Sequence, residues 1–420
     1  MAKSINKFQV FQKGASIFLG ELCYLLQKGG LKYLLPYFRL LKKSLKNESV
    51  IEYDDKAVIF FLIPPIPSSS FRRHLHLYID KFILQKNNTF VGQVFIAVNR
   101  RCPFSCWYCS ADNTPDNEPL MEDIEKIILL VQDFGSSTIV FTGGEPLLRD
   151  DIDILIKKYS ERLSFVILTS GYGLDAERAQ RLRSSGLFAI SISLDHYDSK
   201  VNDKLRGREG AYDISLKAIK NARSAGLYTV VQTVVGRELL ADGIGDFVEF
   251  VKKQGVDELF LLEPLNTGRL FCAGQDVSFD DETQKKLKAL HIQIAKARNG
   301  MKVICSSYIE DPGKFGCGAG TEHVYIDTNG ELWPCNFLPI SLGNFLNDTK
   351  TVLTRLKKYF PSQCRVCILK GHRHEFLKVY NNRLPIPFES VKSILEKHLV
   401  QTLSGTVCNS ERPEHRIGKE

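Results

Sequence analysis

Between residues 92 and 280 the sequence alternates six times between a short β-type run and a longer amphipathic stretch. The β-type runs lie at 93–98, 138–141, 165–168, 188–194, 228–234 and 258–262. The amphipathic stretches between them lie near 121–134, 151–161, 176–185, 212–225 and 243–254. Because strands that alternate with helices pair in parallel, this order predicts an α/β fold, a parallel sheet covered by outer helices.

Residues suited to chemistry follow the ends of these predicted strands. In β/α barrels the reacting groups gather in the loops at the carboxyl ends of the strands. Those positions hold, in chain order, segments 101–109, 143–146, 169–171, 195–196, 236–237 and 263–264. The sequence therefore predicts one functional edge on the sheet, and the first segment is the most distinctive.

That first segment carries three cysteines in eight residues, Cys102, Cys106 and Cys109. One tight loop with this spacing aims three thiolates at a single point, which predicts a metal ion or an iron–sulfur cluster. The next cysteine is Cys272 and the next histidine is His196, so no fourth ligand lies close by. A metal position left open by the protein is one where a substrate binds. The alternatives are a zinc knuckle and a core cluster of cysteines.

The pattern C-x3-C-x-aromatic-C, with Tyr108 at the aromatic position, resembles that of the radical S-adenosylmethionine (SAM) superfamily. The resemblance implies a [4Fe–4S] cluster on Cys102, Cys106 and Cys109, with SAM bound to the open iron. It further implies that one electron cleaves SAM to a 5′-deoxyadenosyl radical, which abstracts hydrogen from a substrate C–H. Tyr108 would contact the adenine of SAM.

The run Gly143-Gly144-Glu145-Pro146 resembles the second motif of the same family. Two glycines allow a backbone to approach a ligand closely. The resemblance implies that Gly143, Gly144 and Glu145 bind the methionyl amino group, through backbone oxygens and the Glu side chain. It also implies the architecture of a partial (β/α)6 TIM-type barrel. An ordinary Gly-Gly turn is the alternative.

Four more residues are assigned to SAM by the same resemblance. Ser170, Ser191 and Ser193 would bond the carboxylate or ribose of SAM, the alternative being hydroxyls satisfied inside the barrel. Arg206 precedes a glycine after the fourth strand and could pair a carboxylate with two hydrogen bonds. A surface arginine is the alternative for Arg206.

The substrate radical needs an acceptor or a donor near the mouth of the barrel. The candidates are Asp195, Glu263 and Cys272, with His196 and Arg269 nearby. A thiol donates a hydrogen atom, whereas a carboxylate takes a proton in an oxidation. For Cys272 the alternative is a buried small apolar side chain, and for His196 it is a structural role.

A second set of cysteines follows residue 300. Cys317 and Cys335 flank a hairpin whose turn is signalled by residues 329–330, Asn-Gly, and Cys364 and Cys367 form a close pair. Together they offer four ligands, a closed shell. The arrangement resembles the SPASM/Twitch extensions of radical SAM enzymes, and the shorter Twitch form implies one auxiliary [4Fe–4S] cluster suited to electron transfer.

Zinc is the alternative for this second set. Cys364 and Cys367 are followed by His372 and His374, a spacing that also suits a zinc site. The full SPASM pattern needs further cysteines, and only Cys408 remains. The paired hairpin cysteines favour the cluster.

Residues 1–48 carry nine Lys and Arg but only Glu21 and Glu48, whereas the rest of the chain has 47 basic and 46 acidic residues. This distribution argues against nucleic-acid binding over the whole surface. A basic amphipathic segment of this kind lies in a membrane interface or caps the catalytic domain with a solvated face. Charges, glycines and Pro36 interrupt the apolar stretch 17–38, which therefore does not predict a transmembrane span.

The composition suits a cytoplasmic protein, peripheral at the inner membrane face if residues 1–48 bind lipid. Eleven cysteines are an odd number, and seven lie in the two metal-type sets, which fits a reducing compartment.

The sequence predicts four parts of the chain. They are a basic helical segment and connection at 1–90, the barrel at 91–280, the Twitch/SPASM-like extension at 281–375, and a helix and tail at 376–420.

Three functions compete at this point. A radical SAM enzyme acting on a small-molecule or lipid-type substrate is favoured, because residues 1–48 resemble an interfacial segment. A maturase of peptides or proteins is the second, although residues 1–90 show no winged-helix pattern for peptide recognition. The third is a non-catalytic iron–sulfur or zinc module. An enzyme of this family would take electrons from a flavodoxin- or ferredoxin-type donor.

Overall fold

The computed structural model describes residues 3–86, 90–111, 118–272, 276–297, 300–361 and 367–404. Its amino-terminal part combines a small antiparallel sheet with helices. The sheet holds β1 (Lys3–Ile5), β2 (Val50–Tyr53) and β3 (Lys56–Val58). The helices are α1 (Lys7–Lys13), α2 (Ala15–Gly29), a short 3-10 helix (Gly30–Tyr33), α3 (Leu34–Ser44) and α4 (Ser69–Tyr78), which a π-helical turn (Ile79–Ile83) extends.

The amino-terminal helices form as the sequence predicts, with one difference. Asn6 and Gln9 make a capping box at the start of α1, with bonds of 2.9 and 2.8 Å. The chain breaks at Gly29 and Gly30, as expected, but Pro36 lies inside the first turn of α3, where proline is tolerated. Within the described ranges, no helix is both long and apolar enough to cross a bilayer.

Nine strands form the large sheet: β4 (Gln93–Asn99), β5 (Thr138–Gly143), β6 (Ser164–Thr169), β7 (Ala189–Ser193), β8 (Tyr228–Val234), β9 (Glu258–Leu262), β10 (Lys302–Cys305), β11 (His323–Ile326) and β12 (Leu332–Trp333). Their order across the sheet is β10, β9, β8, β7, β6, β5, β4, β11, β12. Neighbours are parallel except β11 and β12, which form an antiparallel hairpin. The sheet does not close on itself, so the predicted partial barrel is confirmed.

Three strands, β10, β11 and β12, extend the sheet beyond the six predicted βα units. At one edge β10 pairs with β9, and at the other β11 pairs with β4 in the register His323↔Gln93 to Ile326↔Ile96. The large sheet therefore runs through residues on both sides of position 281. The division of the chain at that position stays a prediction.

Helices cover the outer face of the sheet: α5 (Met121–Asp133), α6 (Ile152–Tyr159), α7 (Ala176–Ser184), α8 (Ser199–Arg206), α9 (Ala211–Ser224), α10 (Arg237–Asp242), α11 (Ile244–Lys253), α12 (Asp281–Ala297) and the one-turn α13 (Ser306–Ile309). Their apolar sides form one continuous core with the strands. Asp175 and Asp198 cap α7 and α8, accepting backbone hydrogen bonds of 2.7 and 3.0 Å. These short caps fix where each helix leaves a strand end.

The amino-terminal segment enters the barrel interior. Of the apolar run 57–63 only the beginning belongs to β3 (Lys56–Val58), and the chain then turns inward. Phe61 packs on Phe260 with ring centroids 5.6 Å apart, and Tyr53 packs on Tyr228 at 5.3 Å. The inward-facing side chains of the strands thus gain apolar partners from a segment that the sequence suggested was a simple connection.

A buried polar group lies at the amino-terminal end of the strands. Lys302 bonds the carbonyl of Ile59, and its Nζ stands 3.7 Å from Glu258, which accepts a 2.8 Å hydrogen bond from Tyr228. Burial lowers the pKa of Lys302 and raises that of Glu258. Because each charge has a partner, the group links the inserted segment to the sheet.

The carboxyl-terminal part begins with the hairpin of β11 and β12 and continues with α14 (Thr349–Tyr359), α15 (Ile368–Val379) and α16 (Phe388–Ser404). The hairpin predicted from Asn329 and Gly330 is confirmed. Gly330 has a φ of +79° and donates a 3.0 Å bond to Asp327. The hairpin brings the residues before β11 beside those that follow β12.

Candidate active site

The cysteine loop starts directly after β4 and is held by the end of α8. Ser105 and Trp107 donate backbone hydrogen bonds of 3.1 and 3.2 Å to the carbonyls of Arg206 and Leu205. Gly207 ends α8 with a φ of +63°, and a Cβ added there would lie 2.4 Å from the Ser105 carbonyl oxygen. Only glycine allows this approach.

The three thiols of this loop, those of Cys102, Cys106 and Cys109, belong to one small cluster with Phe104 and Tyr108. Burial raises the pKa of Cys102 to about 11 and that of Cys106 to about 12, and the neighbouring thiols add to both shifts. Three adjacent thiolates repel one another unless a cation neutralises them, so the chemistry of the donors suits a metal group. Among the described residues, however, no three ligating side chains are spaced to hold a single metal ion.

Residues 143–145 lie against the backbone of the cysteine loop. A Cβ at Gly143 would stand 2.2 Å from the Asn99 carbonyl oxygen, and one at Gly144 would stand 2.2 Å from that of Arg101. The amide of Gly144 bonds Asn99 at 2.8 Å, and that of Glu145 bonds Arg101 at 2.7 Å. The two glycines therefore let the end of β5 join the loop edge to edge.

The Glu145 carboxylate is buried and fully engaged. It accepts bonds from the Ser170 amide (2.7 Å), the Ser170 hydroxyl, the Thr169 hydroxyl (2.6 Å) and the Leu147 amide (3.1 Å). Burial raises the pKa of Glu145, and these donors oppose the shift. A carboxylate has about four acceptor positions, and all four are used. Glu145 thus ties the end of β5 to the end of β6.

Tyr108, Asp195 and Arg206 form a buried group beside Cys106. Tyr108 donates a 2.7 Å hydrogen bond to Asp195, whose other oxygen accepts one of 3.0 Å from the Val234 amide. Arg206 bonds the Tyr108 hydroxyl and stands 3.5 Å from Asp195. Burial raises the pKa of Asp195 and Tyr108, and Arg206 opposes both shifts. The structure brings together three residues that the sequence suggested separately.

Ser191 and Ser193 lie on β7, on the side shared with β8. Ser191 is buried, and its hydroxyl stands 3.4 Å from the side-chain oxygen of Gln232. Gln232 was not predicted as a site residue. Its alternation with the inward-facing Tyr228 and Val230 along β8 is the signal that could have found it.

Glu263 and Cys272 do not join this cluster. Glu263 forms an ion pair with Lys370 at 2.6 Å and accepts a 2.9 Å bond from the Phe279 amide. Cys272 is exposed, not the buried apolar side chain considered as its alternative. From the same connection, Arg269 reaches the loop and bonds the Ser105 hydroxyl at 2.5 Å.

Cys317, Cys335 and Cys367 come together at the second cysteine set, while Cys364 lies outside the described residues. Gly320 fixes the first two by donating to the Pro334 carbonyl at 2.7 Å. The Cys317 thiol donates to the Cys367 sulfur, which lowers the pKa of Cys367 to about 6. Burial raises the pKa of Cys335. The described residues thus place three sulfurs on the wall of one cavity, although no three ligating side chains among them are spaced to hold a single metal ion.

The histidines of the zinc alternative point elsewhere. His372 stands 3.0 Å from Glu375 and 3.3 Å from His398, and it packs towards α16. His374 is exposed. Neither lies on the wall shared by Cys317 and Cys335. The geometry therefore favours a sulfur-only set.

A cavity of about 240 Å³ connects the second cysteine set with the barrel interior and the amino-terminal helices. Its wall is mainly apolar; representative members are Phe18, Leu41, Phe95, Leu168, Phe260, Leu262, Ile304 and Phe337. Neither lysine nor arginine is among the described residues that line it. No sequence pattern predicts this cavity, because its wall comes from segments far apart in the chain.

Glu310 is a second residue that the sequence analysis missed. It follows α13 and lines the cavity near Cys367. Its backbone amide bonds the Ser306 carbonyl at 2.9 Å, whereas its exposed carboxylate makes no hydrogen bond or ion pair with another described residue. Desolvation, and after it the neighbouring Cys367, raises the pKa of Glu310 above its usual value, although its side chain is accessible to solvent. Glu48, by contrast, lines the same cavity but is paired with Lys314 at 3.0 Å.

An open parallel barrel with a three-thiol loop after its first core strand defines an enzyme scaffold with its cofactor at the strand ends. Residues 96–251 match the model of the Radical SAM superfamily. The chain belongs to this superfamily and is a radical SAM enzyme, with a [4Fe–4S] cluster and SAM as cofactors. The non-catalytic alternative is therefore wrong.

Two groups of characterised relatives are similar to the chain. The AdoMet-dependent heme synthase of Nitratidesulfovibrio vulgaris is 28% identical over 290 residues, which cover 63% of this chain and 78% of the synthase. The GTP 3′,8-cyclase of Clostridium botulinum is 26% identical over 296 residues, covering 66% of this chain and 91% of the cyclase. Both names denote enzymes, but they denote different reactions.

Solved structures share the fold. Streptococcus suis SuiB bound to its precursor peptide SuiA has a TM-score of 0.51 at 21% identity, covering 63% of this chain and 64% of SuiB. The anSMEcpe structure with bound AdoMet and a peptide has a TM-score of 0.51 at 16% identity, covering 74% of this chain and 99% of that one. At these identities the likeness concerns architecture alone.

Proposed function

We propose that the chain abstracts hydrogen from a C–H bond of an apolar small-molecule or lipid-type substrate bound in the 240 Å³ cavity. The observation that carries the proposal is the chemistry of the cavity wall, which is apolar and adjoins both the barrel interior and the second cysteine set. Ligand sites are mostly apolar clefts with a few placed polar groups, and Gln232 and Glu310 are such groups here.

Charge supports an apolar substrate over an anionic one. A triphosphate such as GTP needs Lys or Arg partners, and the described residues of the wall provide none. Burial lowers the pKa of His74 and His323, two further wall residues, to about 4, so both are neutral near pH 7. An uncharged ligand avoids the cost of burying an unpaired anion.

Cys102, Cys106 and Cys109 would hold the cluster that, with SAM, supplies the 5′-deoxyadenosyl radical. Their loop is fixed on three sides by glycine contacts, which keeps the thiols converged before any ligand binds. Tyr108 would face the adenine, and its bond to Asp195 sets the orientation of its ring.

The remaining SAM contacts are proposed with one refinement. Since the Glu145 carboxylate is fully engaged, backbone oxygens of Gly143 and Gly144 are the better partners for the methionyl amine. Ser170, with Ser191 and Ser193 of the same edge, would bond the carboxylate or ribose. Arg206 would act through Tyr108 and Asp195 and not by direct pairing, because it is buried against both.

Cys317, Cys335 and Cys367, with Cys364 as the fourth ligand, would hold an auxiliary [4Fe–4S] cluster that passes electrons.

Among the acids, Glu310 is better placed than Asp195 or Glu263 to take a proton from an oxidised substrate, because its carboxylate faces the cavity without an ion-pair partner among the described residues. Cys272 stays a candidate hydrogen donor only if it moves from its exposed position.

A peptide substrate is the second candidate, because SuiB, which shares the fold, binds its precursor peptide. A peptide would need an open groove with backbone partners, whereas the cavity wall is apolar.

Electrons would come from a flavodoxin- or ferredoxin-type donor in the cytoplasm. Residues 1–48 would contact the inner face of the membrane.

Anaerobic reconstitution tests the proposal. Wild type and the Cys102→Ala/Cys106→Ala/Cys109→Ala variant are compared for iron, sulfide, electron paramagnetic resonance and 5′-deoxyadenosine formed with dithionite and SAM. We expect about eight irons in wild type and about four in the variant, with 5′-deoxyadenosine lost. Co-purified compounds extracted from wild type are then analysed by mass spectrometry. An extracted peptide or phosphate ester, in place of an apolar compound, would contradict the substrate class.

A further inference from the structure

The amino-terminal hairpin of α2, the 3-10 helix and α3, residues 15–44, has two apolar faces. On the inner face Phe18 and Leu41 are buried and line the cavity. On the outer face five large apolar side chains are 38% to 76% exposed: Leu19, Leu26, Leu31, Leu35 and Phe38. The inner face packs into the core, whereas nothing within the described part of the chain covers the outer face.

The outer apolar face is concentrated, not scattered. Among the described residues, six of twelve exposed large apolar side chains lie between residues 3 and 48, Phe8 being the sixth. On α2, Leu19 and Leu26 are seven residues apart with the exposed Cys23 between them, so they share one stripe. Exposed large apolar side chains gathered on one short segment are typical of a binding face.

The charge around this face is of one sign. Lys28, Lys32, Arg39 and Lys42 are exposed and form no ion pair within the described ranges. The one acid within residues 15–44, Glu21, is buried and paired with His76 at 2.9 Å, and the next acid, Glu48, is paired with Lys314. The surface offered to a partner therefore combines apolar side chains with positive charge alone.

We propose that residues 15–44 dock in the interface of an anionic lipid bilayer, with the outer side chains among the headgroups and acyl chains. Basic residues beside an apolar helix face are the features that bind such surfaces. The inner face of the same hairpin forms part of the cavity wall. An apolar substrate would then reach the cavity from the lipid phase, a step that rests on the proposed function.

A second copy of the chain is a poorer occupant of this face. A symmetric dimer would place the same four cations of each copy opposite one another, and like charges facing each other are destabilising. Anionic lipid headgroups attract and neutralise these cations instead. The charge pattern therefore favours an anionic bilayer over a second copy of the chain as the partner of the outer face.

Co-sedimentation of the full-length protein with vesicles tests the docking. The vesicles are phosphatidylcholine, with or without phosphatidylglycerol, and the variant is Leu31→Ser/Leu35→Ser/Phe38→Ser. The control is Leu129→Ser/Ile154→Ser, which removes apolar side chains 41% and 55% exposed on the barrel helices. We expect wild type and control to bind the anionic vesicles, more weakly at high salt, and the triple variant to bind at least about tenfold more weakly.

Wild type that fails to bind, or a triple variant that binds like wild type, would overturn the proposal. Dimer formation by wild type without vesicle binding would also overturn it, in favour of a protein partner. A deletion of residues 1–48 is unsuitable, because Val10, Leu25 and Tyr37 are fully buried core residues. Production of 5′-deoxyadenosine, measured without vesicles, separates a failure of docking from a failure of the enzyme.

Discussion

Tyr108 and Asp195, 87 residues apart in the chain, share a 2.7 Å hydrogen bond beside the cysteine loop. Tyr108 belongs to the loop that follows β4, and Asp195 follows β7, so the bond joins two separate strand ends. Arg206 holds the pair from α8. Asp195 is fully buried. We therefore expect Asp195 to position Tyr108, because both of its oxygens are buried and hydrogen-bonded within the protein.

Loss of the Tyr108 hydroxyl should destabilise the fold and the cofactor site together. Tyr108→Phe leaves the buried Oδ2 of Asp195 with only the 3.5 Å bond from Arg206, and we expect the free energy of unfolding to fall by about 1–3 kcal/mol. The control is Tyr197→Phe, whose exposed hydroxyl makes only a 3.3 Å bond to Asp242. Urea unfolding and SAM affinity by calorimetry check both effects. Equal stabilities of the two variants would refute the positioning role.

The close approach of Gly207 to the cysteine loop makes a second prediction. Gly207→Ala and Gly210→Ala both place a side chain at positive φ, which costs about 1–2 kcal/mol. Only the first pushes a Cβ against Ser105, since nothing lies within 4 Å at Gly210. We expect Gly207→Ala alone to lose iron after reconstitution. Iron content and thermal unfolding of both variants distinguish the steric clash with Ser105 from the backbone strain at positive φ. Equal iron loss in Gly207→Ala and Gly210→Ala would mean that the backbone strain alone is responsible.

Local sequence patterns predicted the strands and helices of the barrel, because each repeats over a length that periodicity resolves. The gathering of the strand-end loops at one edge of the sheet could also be predicted, because the carboxyl ends of parallel strands lie at the same edge. The pairing of β11 with β4 could not be predicted, since it joins residues 323–326 to 93–96 without a local signal. The inward turn after β3 and the cavity depend on the same kind of distant packing. The role expected of a single residue such as Glu145 depends on its hydrogen-bond partners, and the sequence does not predict those partners.

The second cysteine set gives a test of cluster against zinc. Cys335→Ser should lower iron by about four per chain and leave the signal of the first cluster intact. His372→Asn should leave iron unchanged, because His372 bonds Glu375 and His398 away from the sulfurs. Metal analysis of both reconstituted variants decides between them. Zinc in wild type that is lost in both variants would establish the zinc site instead.

Buried neutral histidines predict a loss of stability in mild acid. Burial lowers the pKa of His74 to about 4, below its unfolded value near 6.5. Stability from neutral His74 is therefore fully present above pH 6.5 and is lost as the pH falls towards 4. We expect a loss of about 2 kcal/mol from this residue at pH 5. His74→Gln should unfold in urea with a smaller difference between pH 7 and pH 5 than wild type, and an unchanged difference would exclude a contribution from His74.

Filling the cavity should block an apolar ligand and leave SAM cleavage intact. Ile304 lines the cavity from β10 and is nearly fully buried, so Ile304→Phe places its added atoms in that space. Overpacking costs about 1–3 kcal/mol where no space exists, and a smaller loss is expected here because the cavity accommodates the ring. The apolar dye Nile red should gain fluorescence with wild type and with the surface control Ile154→Phe, but not with Ile304→Phe. Unchanged dye binding by Ile304→Phe would show that the dye occupies another site and would weaken the assignment of the cavity to the substrate.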